Sequence, residues 1–114
     1  RAKGGDLGTA RTMWRTIHDT ADNDWLRRQA ERSLMQIDAM EFIADLQARV
    51  DKWRLRADAA PAQWTGLIEA RVVSGLPIDP AGVPYEIDPA GKVTVSAGSP
   101  LSPLPEPSSR PEAR

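Results

Sequence analysis

The chain has 114 residues, and its 15 lysines and arginines nearly balance 16 aspartates and glutamates, for a formal net charge of −1. This length fits one small domain, and the balanced charge argues against a nucleic-acid-binding surface, which needs a basic excess. The lack of cysteine excludes disulfides and thiolate metal ligands, and the lack of any run of about 18 apolar residues predicts no membrane span.

Composition divides the chain into four predicted segments. Residues 1–9, with three glycines, are expected to form a flexible lead, and residues 98–114, rich in proline and serine, a disordered tail. Residues 10–57 contain neither glycine nor proline and are predicted to be helical. Residues 58–97 are predicted to form a short helix and a β-hairpin. Because the first residue is arginine, the chain is interpreted as part of a longer protein, and its compartment stays open.

A helical hairpin is predicted within residues 10–57. Apolar residues at a spacing near 3.6 mark the first helix, and Asn23 is suited to cap the second. The second helix, from Asp24 to Arg56, would be about 50 Å long at 1.5 Å per residue. A helix of this length either bridges two packing units or kinks near Asp38.

A short helix is predicted after the long one. Trp64 and Leu67 mark its buried face, and Gly75 is placed to end it in a left-handed cap. Two aromatic layers are expected to hold the molecule together. One layer is formed by Trp14 and Trp25, and the other by Trp53, Trp64 and Tyr85.

The pattern Asp-Pro-Ala-Gly occurs twice, at Asp79–Gly82 and at Asp88–Gly91, and fits a type I turn each time. Apolar and polar residues alternate around the second turn, which predicts a β-hairpin with Gly91 at positive φ. An isolated hairpin is marginal in water, so its apolar face is expected to rest on the helices. Pro84 suits the start of an edge strand.

Within the segment 10–57, residues 11–42 resemble a tetratricopeptide repeat (TPR). Trp14 takes the early aromatic position, Ala30 the small residue where the two helices touch, and Leu34 the aromatic position after it. Phe42 stands in place of the closing proline. The resemblance implies a TPR-like helical hairpin at the end of a larger repeat array, with the long second helix and the C-terminal hairpin as its cap.

The C-terminal module, from Leu46 to Ser96, resembles the globular end of type II secretion pseudopilins. These proteins carry a D-P-x-G-x-P-Y box after a long helix. Five residues match this box: Asp79, Pro80, Gly82, Pro84 and Tyr85. Ala81 and Val83 stand where a tryptophan and an asparagine are usual. The same segment, with its W-x-x-L motif, is similar to the C-terminal region of bacterial TPR proteins, which implies a role in protein association.

No catalytic, metal or cofactor site is predicted. His18 is the single histidine, and although Asp19 and Asp22 lie near it, a metal site draws on more nitrogens or on several convergent carboxylates. Asp79 and Asp88 are explained as the first residues of their turns. Phosphate-binding loops and hydrolase motifs do not occur.

We therefore expect a mainly α fold with a small C-terminal β-hairpin, and a non-catalytic scaffold that binds a protein partner as the C-terminal cap of a larger TPR protein. The alternative is a structural component of a pseudopilin-like secretion or pilus assembly. Three residues of the first helix are expected to contact the partner: Arg11, Arg15 and His18. Structural roles are expected for Trp14, Ala30, Leu34, Trp53, Trp64, Asp79, Pro80, Gly82, Pro84, Tyr85 and Gly91.

Overall fold

The computed structural model describes residues 2–58 and 60–105. This part of the chain contains three helices and one two-stranded antiparallel sheet, so the prediction of a mainly α fold with a small C-terminal hairpin is confirmed. The elements in chain order are α1 (Ala2–Thr20), α2 (Asp24–Arg56), α3 (Trp64–Glu69), β1 (Glu86–Ile87) and β2 (Val93–Thr94). No helix among them has the length and apolar character that crossing a membrane requires.

Helix α1 begins well before the predicted start. The flexible lead expected over residues 1–9 is wrong for residues 2–9, which are helical. Each glycine costs a helix about 1 kcal/mol relative to alanine, a local penalty that tertiary packing routinely overrides. Leu7 supplies such packing, because it is buried.

Helices α1 and α2 form the predicted antiparallel hairpin. The side chain of Asn23 accepts a hydrogen bond from the Leu26 N–H at 2.8 Å, which confirms the predicted N-cap. Ala30 is fully buried, whereas Trp14 and Leu34 are half-buried. Trp25 is 63% exposed, so its assignment to an aromatic packing layer is wrong. It lies in the first turn of α2.

Helix α2 runs as one helix of 33 residues through Asp38 and bridges two packing units. Its N-terminal part packs against α1, and its C-terminal part supports the β-hairpin. After the helix ends, Asp58 takes a φ of 59°, a left-handed conformation that turns the chain away from the helix axis.

The core lies between the C-terminal part of α2 and the residues that follow it. It is formed by Ala39, Leu46, Val50, Leu67, Val73, Tyr85, Val93, Val95 and Leu101. Trp53 and Trp64 pack against this core, so the second predicted aromatic layer is present. Glu86 pairs with Thr94 and Ile87 with Val93. Gln47 ties the sheet to α2, because its side chain donates to the Gly91 carbonyl and accepts from the Val93 N–H at 2.9 Å.

Helix α3 is shorter than predicted. It ends at Glu69, and Arg71 rather than Gly75 takes the left-handed conformation, with a φ of 63°. This early reversal lets the N–H of Val72 reach the Leu67 carbonyl at 2.9 Å and brings Val73 into the core.

The segment after β2 is packed rather than free, so the predicted disordered tail is wrong for residues 98–105. Leu101 is 1% exposed, and its carbonyl accepts a hydrogen bond from Gln36 at 2.9 Å. Arg32 donates to the Pro100 carbonyl at 3.0 Å. Residues 106–114 of the predicted tail lie outside the described residues.

The two turn glycines are expected to differ in their tolerance of alanine. Gly82 and Gly91 have φ values of 92° and 88°. A Cβ at Gly91 would lie 2.8 Å from the Arg54 Cδ and 3.2 Å from the Val50 Cγ1, whereas a Cβ at Gly82 meets nothing within 4 Å. We expect Gly82→Ala to cost about 1–2 kcal/mol of unfolding free energy from backbone strain alone, and Gly91→Ala about 2–4 kcal/mol because steric overlap adds to it. Urea denaturation of both variants measures this order, and a reversed order would contradict it.

Candidate interaction surface

Arg11, a predicted partner-binding residue, joins the two long helices. Its guanidinium donates to Asp38 at 2.6 Å and to Glu41, both on α2. The hydrogen bond to Asp38 contributes most to raising the pKa of Arg11 above its ordinary value. The charge of Arg11 is therefore engaged within the hairpin.

His18 also bridges the helices. Its Nδ1 lies 3.2 Å from an oxygen of Asp19, and its Nε2 lies 3.2 Å from an oxygen of Glu31 on α2. The predicted neighbour Asp22 is not among its hydrogen-bond partners. Arg15, the third predicted contact residue, is exposed. A partner contact through Arg11, Arg15 and His18 stays a prediction.

The His18 bridge is expected to make hairpin stability depend on pH. Hydrogen bonds to Asp19 and then Glu31 raise the pKa of His18 above its ordinary value of 6.5. The protonated form is favoured in the folded state, so the bridge stabilises the protein below pH 6.5, and this contribution is lost as the pH rises through the folded-state pKa. In urea denaturation, the stability difference between the wild type and His18→Gln should shrink from pH 5 to pH 8. A constant difference would show that the charge of His18 contributes nothing.

The D-P-x-G-x-P-Y box is organised around Asp79, which is 3% exposed. One carboxylate oxygen accepts hydrogen bonds from the N–H groups of Ala81 and Val83, at 2.8 and 3.0 Å, and the other accepts from the Ser99 hydroxyl at 2.7 Å. The Gly82 N–H donates to the Asp79 carbonyl at 2.9 Å, which closes the predicted turn. The box therefore has a structural role, and its carboxylate is occupied by protein donors.

Tyr85, at the end of the box, is buried beside α2. Trp64 donates its indole N–H to the Tyr85 carbonyl at 3.0 Å. Burial raises the pKa of Tyr85 to about 12, so the hydroxyl stays neutral. Pro80 and Pro84 are exposed, and Pro84 forms an isolated antiparallel bridge with Ile78.

The second turn is built in the same way. The Asp88 carboxylate accepts from the Lys92 N–H at 2.9 Å, and the Gly91 N–H donates to the Asp88 carbonyl at 2.8 Å. Both aspartates of the repeated pattern are thus engaged by their own turns. Within residues 2–58 and 60–105, histidine, aspartate and glutamate form no group of three that could hold a metal ion.

A groove between α2 and residues 73–78 brings together three large apolar side chains that are partly exposed. We call it the Phe42 groove, after the aromatic residue at its wall. Phe42 is 42% exposed, and Leu76 and Ile78 are each 49% exposed. The groove has a volume of about 300 Å³. Its lining residues are Phe42, Asp45, Leu46, Arg49, Val73, Ser74, Gly75, Leu76, Pro77 and Ile78.

Neighbouring residues hold the walls of the Phe42 groove in place. The Phe42 ring stacks on Tyr85, with ring centroids 5.1 Å apart and an interplanar angle of 16°. On the groove rim, Arg49 and Asp45 form an ion pair at 3.0 Å, which neutralises both charges. The sequence alone did not indicate this surface, because Phe42 fits the apolar stripe of α2, and Leu76 and Ile78 precede the turn at Asp79–Gly82. The alternation of Leu76 and Ile78 with Pro77 and Asp79 is the signal that was available.

A second depression, of about 470 Å³, lies between α1, α2, β2 and residues 102–105. Its large apolar lining residues are buried or half-buried, among them Leu7, Val93, Val95 and Leu104. None of these large apolar side chains is as exposed as Phe42, Leu76 or Ile78.

Comparisons with known proteins return no relative: no family model, no curated protein and no solved structure matches this chain.

Proposed function

We propose that this chain is a non-catalytic protein-interaction module and that it binds a protein partner through the Phe42 groove. The observation that carries the proposal is the convergence of three large, nearly half-exposed apolar side chains, Phe42, Leu76 and Ile78, on one depression. Contiguous exposed apolar patches on soluble proteins mark interaction sites, whereas single exposed apolar residues need no explanation.

The groove is preorganised for binding. Phe42 rests on a buried tyrosine, and Ile78 directly precedes the buried Asp79, which is fixed by three donors. A partner that fills the groove therefore loses little free energy in ordering its walls, and preorganisation of this kind favours affinity.

The repeat-like hairpin forms the second part of the proposal. We propose that α1 and α2 form the end of a larger repeat protein and that the C-terminal hairpin helps to cap it. The antiparallel packing of the two helices, with Ala30 fully buried, supports this role. Ion pairs from Arg11 and His18 to α2 stiffen the hairpin, and Arg15 stays available for a charged contact.

The experiment compares charged variants of the groove with a matched control. Leu76→Glu and Ile78→Glu place a carboxylate on the groove wall, and Leu55→Glu makes the same change at an 85% exposed leucine on the last turn of α2. Tagged wild type and tagged variants are expressed in the native host. The partner that cross-links to the wild type is identified, and its cross-linked amount is measured for each variant. We expect Leu76→Glu and Ile78→Glu to lose the partner while Leu55→Glu keeps it, with unchanged melting temperatures.

Two results would contradict this function. One is retention of the partner at wild-type yield by both groove variants. The other is equal loss in the Leu55→Glu control, which would point to a general charge effect. Arg15→Glu, added to the series, tests the charged surface of α1. Loss of the partner there with the groove variants intact would move the binding site to α1.

A further inference from the structure

The backbone beside the Phe42 groove forms an open sheet edge. The Tyr85 N–H donates to the Pro77 carbonyl at 3.0 Å, and the Asp79 N–H donates to the Val83 carbonyl at 2.9 Å. These two bonds flank the antiparallel bridge between Ile78 and Pro84. Residues 77–79 therefore pair with residues 83–85, which lead directly into β1, and lie outside the two-stranded sheet.

The backbone N–H and C=O groups of Ile78 point away from residues 83–85. In an antiparallel pair, a residue whose two neighbours make the hydrogen bonds directs its own N–H and C=O to the opposite side. Among the described residues, none forms a hydrogen bond with the backbone of Ile78. Along residues 76–79, exposed and buried side chains alternate, as in a strand. Leu76, two residues before Ile78, is therefore on the same exposed side.

Apolar side chains and unpaired backbone groups thus occur together. Leu76 and Ile78 present their side chains to solvent, and the outer backbone groups of this segment lie along the same edge. Phe42, Asp45, Leu46 and Arg49 of α2 also line the groove. A groove between a strand edge and a helix, apolar on its walls, is suited to an added strand.

We propose that the Phe42 groove binds an extended apolar peptide segment of a partner protein by strand addition. The peptide backbone pairs with the N–H and C=O groups of Leu76 and Ile78, and alternate peptide side chains pack against Phe42 and Leu76. This inference rests on the proposed function, because it specifies the partner segment that the interaction module takes.

Surface area and charge favour a peptide over a second copy of the chain. Phe42, Leu76 and Ile78, each a little under half exposed, offer apolar surface on the order of 300 Å² if a large side chain carries about 150–250 Å². A stable interface buries about 800 Å² on each partner. The rim charges of Asp45 and Arg49 cancel each other, so the groove selects for apolar rather than charged residues.

The test begins with a library of random heptapeptides displayed on phage and selected against the immobilised full chain. We expect the selected sequences to carry apolar residues at every second position. A synthetic peptide of the selected sequence should protect the amide protons of Leu76 and Ile78 from exchange. It should bind Leu55→Glu as it binds the wild type, and Ile78→Glu at least about tenfold more weakly.

Backbone pairing is tested by N-methylation of the synthetic peptide. Methyl groups on the nitrogens that face residues 76–78 remove hydrogen bonds, so one register should lose at least about tenfold in affinity. Methylation of the alternate nitrogens, which face away from the edge, should leave the affinity within about threefold of the parent. A register-dependent loss is the signature of an added strand, and side-chain packing alone does not produce it.

Each contrary result overturns strand addition. If apolar residues in the selected peptides recur every three to four positions, or if both methylation registers give the same affinity, the groove binds a helix or an irregular segment. The proposed function stands in that case. Failure to select any peptide that distinguishes Ile78→Glu from the wild type overturns peptide binding at this groove. Sedimentation that shows a dimer abolished by Ile78→Glu makes the occupant a second copy. The cross-linking experiment decides the proposed function separately.

Discussion

Replacing Leu101 by alanine is expected to lower the free energy of unfolding by about 2–5 kcal/mol. Leu101 is 1% exposed and belongs to the core that also contains Leu46, Leu67 and Tyr85. Truncation removes buried methyl groups and leaves a cavity that its neighbours cannot fully close. Urea denaturation followed by circular dichroism measures the loss.

The control for this prediction is Leu55→Ala. Leu55 is 85% exposed, so the change should shift the unfolding free energy by no more than about 0.5 kcal/mol. Equal effects for the two variants would mean that residues 98–105 are not part of the core. Deleting the chain after Ala97 should destabilise the protein at least as much as Leu101→Ala. It removes Leu101 and leaves the buried Gln36 amide without the carbonyl to which it donates.

The parts of the fold that the sequence predicted correctly depend on local interactions. Asn23 caps α2 because its side chain reaches an N–H three residues away, and Gly91 takes a positive φ because the turn geometry requires it. These features need no knowledge of the rest of the chain. The extent of α2 also follows from local sequence, since residues 24–56 contain no glycine or proline, but the sequence left open whether the helix kinks near Asp38.

The errors concern residues whose environment is set by distant parts of the chain. Leu101 stands among prolines and serines, and its burial depends on a surface of α2 that composition does not describe. Trp25 fits an amphipathic pattern, but the other elements leave its side chain 63% exposed. Composition describes what a segment could bury by itself, and it does not describe what another element can cover.

The candidate site depends on the same kind of long-range information. Phe42 belongs to α2, and Leu76 and Ile78 follow more than thirty residues later. The exposed apolar surface exists only because the turn anchored by Asp79 brings these residues together. The charges of Arg11 and His18 suggested a binding face in the sequence, but acidic residues of α2 pair with both in the fold.

Asp79→Ala is the second prediction with a large expected effect, a loss of about 2–4 kcal/mol of unfolding free energy. Hydrogen bonds to a charged group contribute about 1.5–3 kcal/mol each, and the loss falls short of their sum because the variant no longer buries a carboxylate. Asp79→Asn should be intermediate, since its amide oxygen can still accept from Ala81 and Val83 while its NH₂ group cannot accept from Ser99. Stability equal to the wild type in both variants would contradict a structural role for the box.

The same residue should make stability fall in acid. Burial by itself raises the pKa of Asp79, but hydrogen bonds from the Ser99 hydroxyl and from the N–H groups of Val83 and Ala81 outweigh it and hold the pKa below the ordinary 3.8. The ionised carboxylate is favoured in the folded state, so its contribution is present above pH 3.8 and is lost as the pH falls through the folded-state pKa. The stability advantage of the wild type over Asp79→Asn should therefore be constant near neutral pH and shrink below about pH 4. Because asparagine does not titrate, an advantage that persists unchanged in acid would show that the ionised form of Asp79 is not what holds the turn to Ser99.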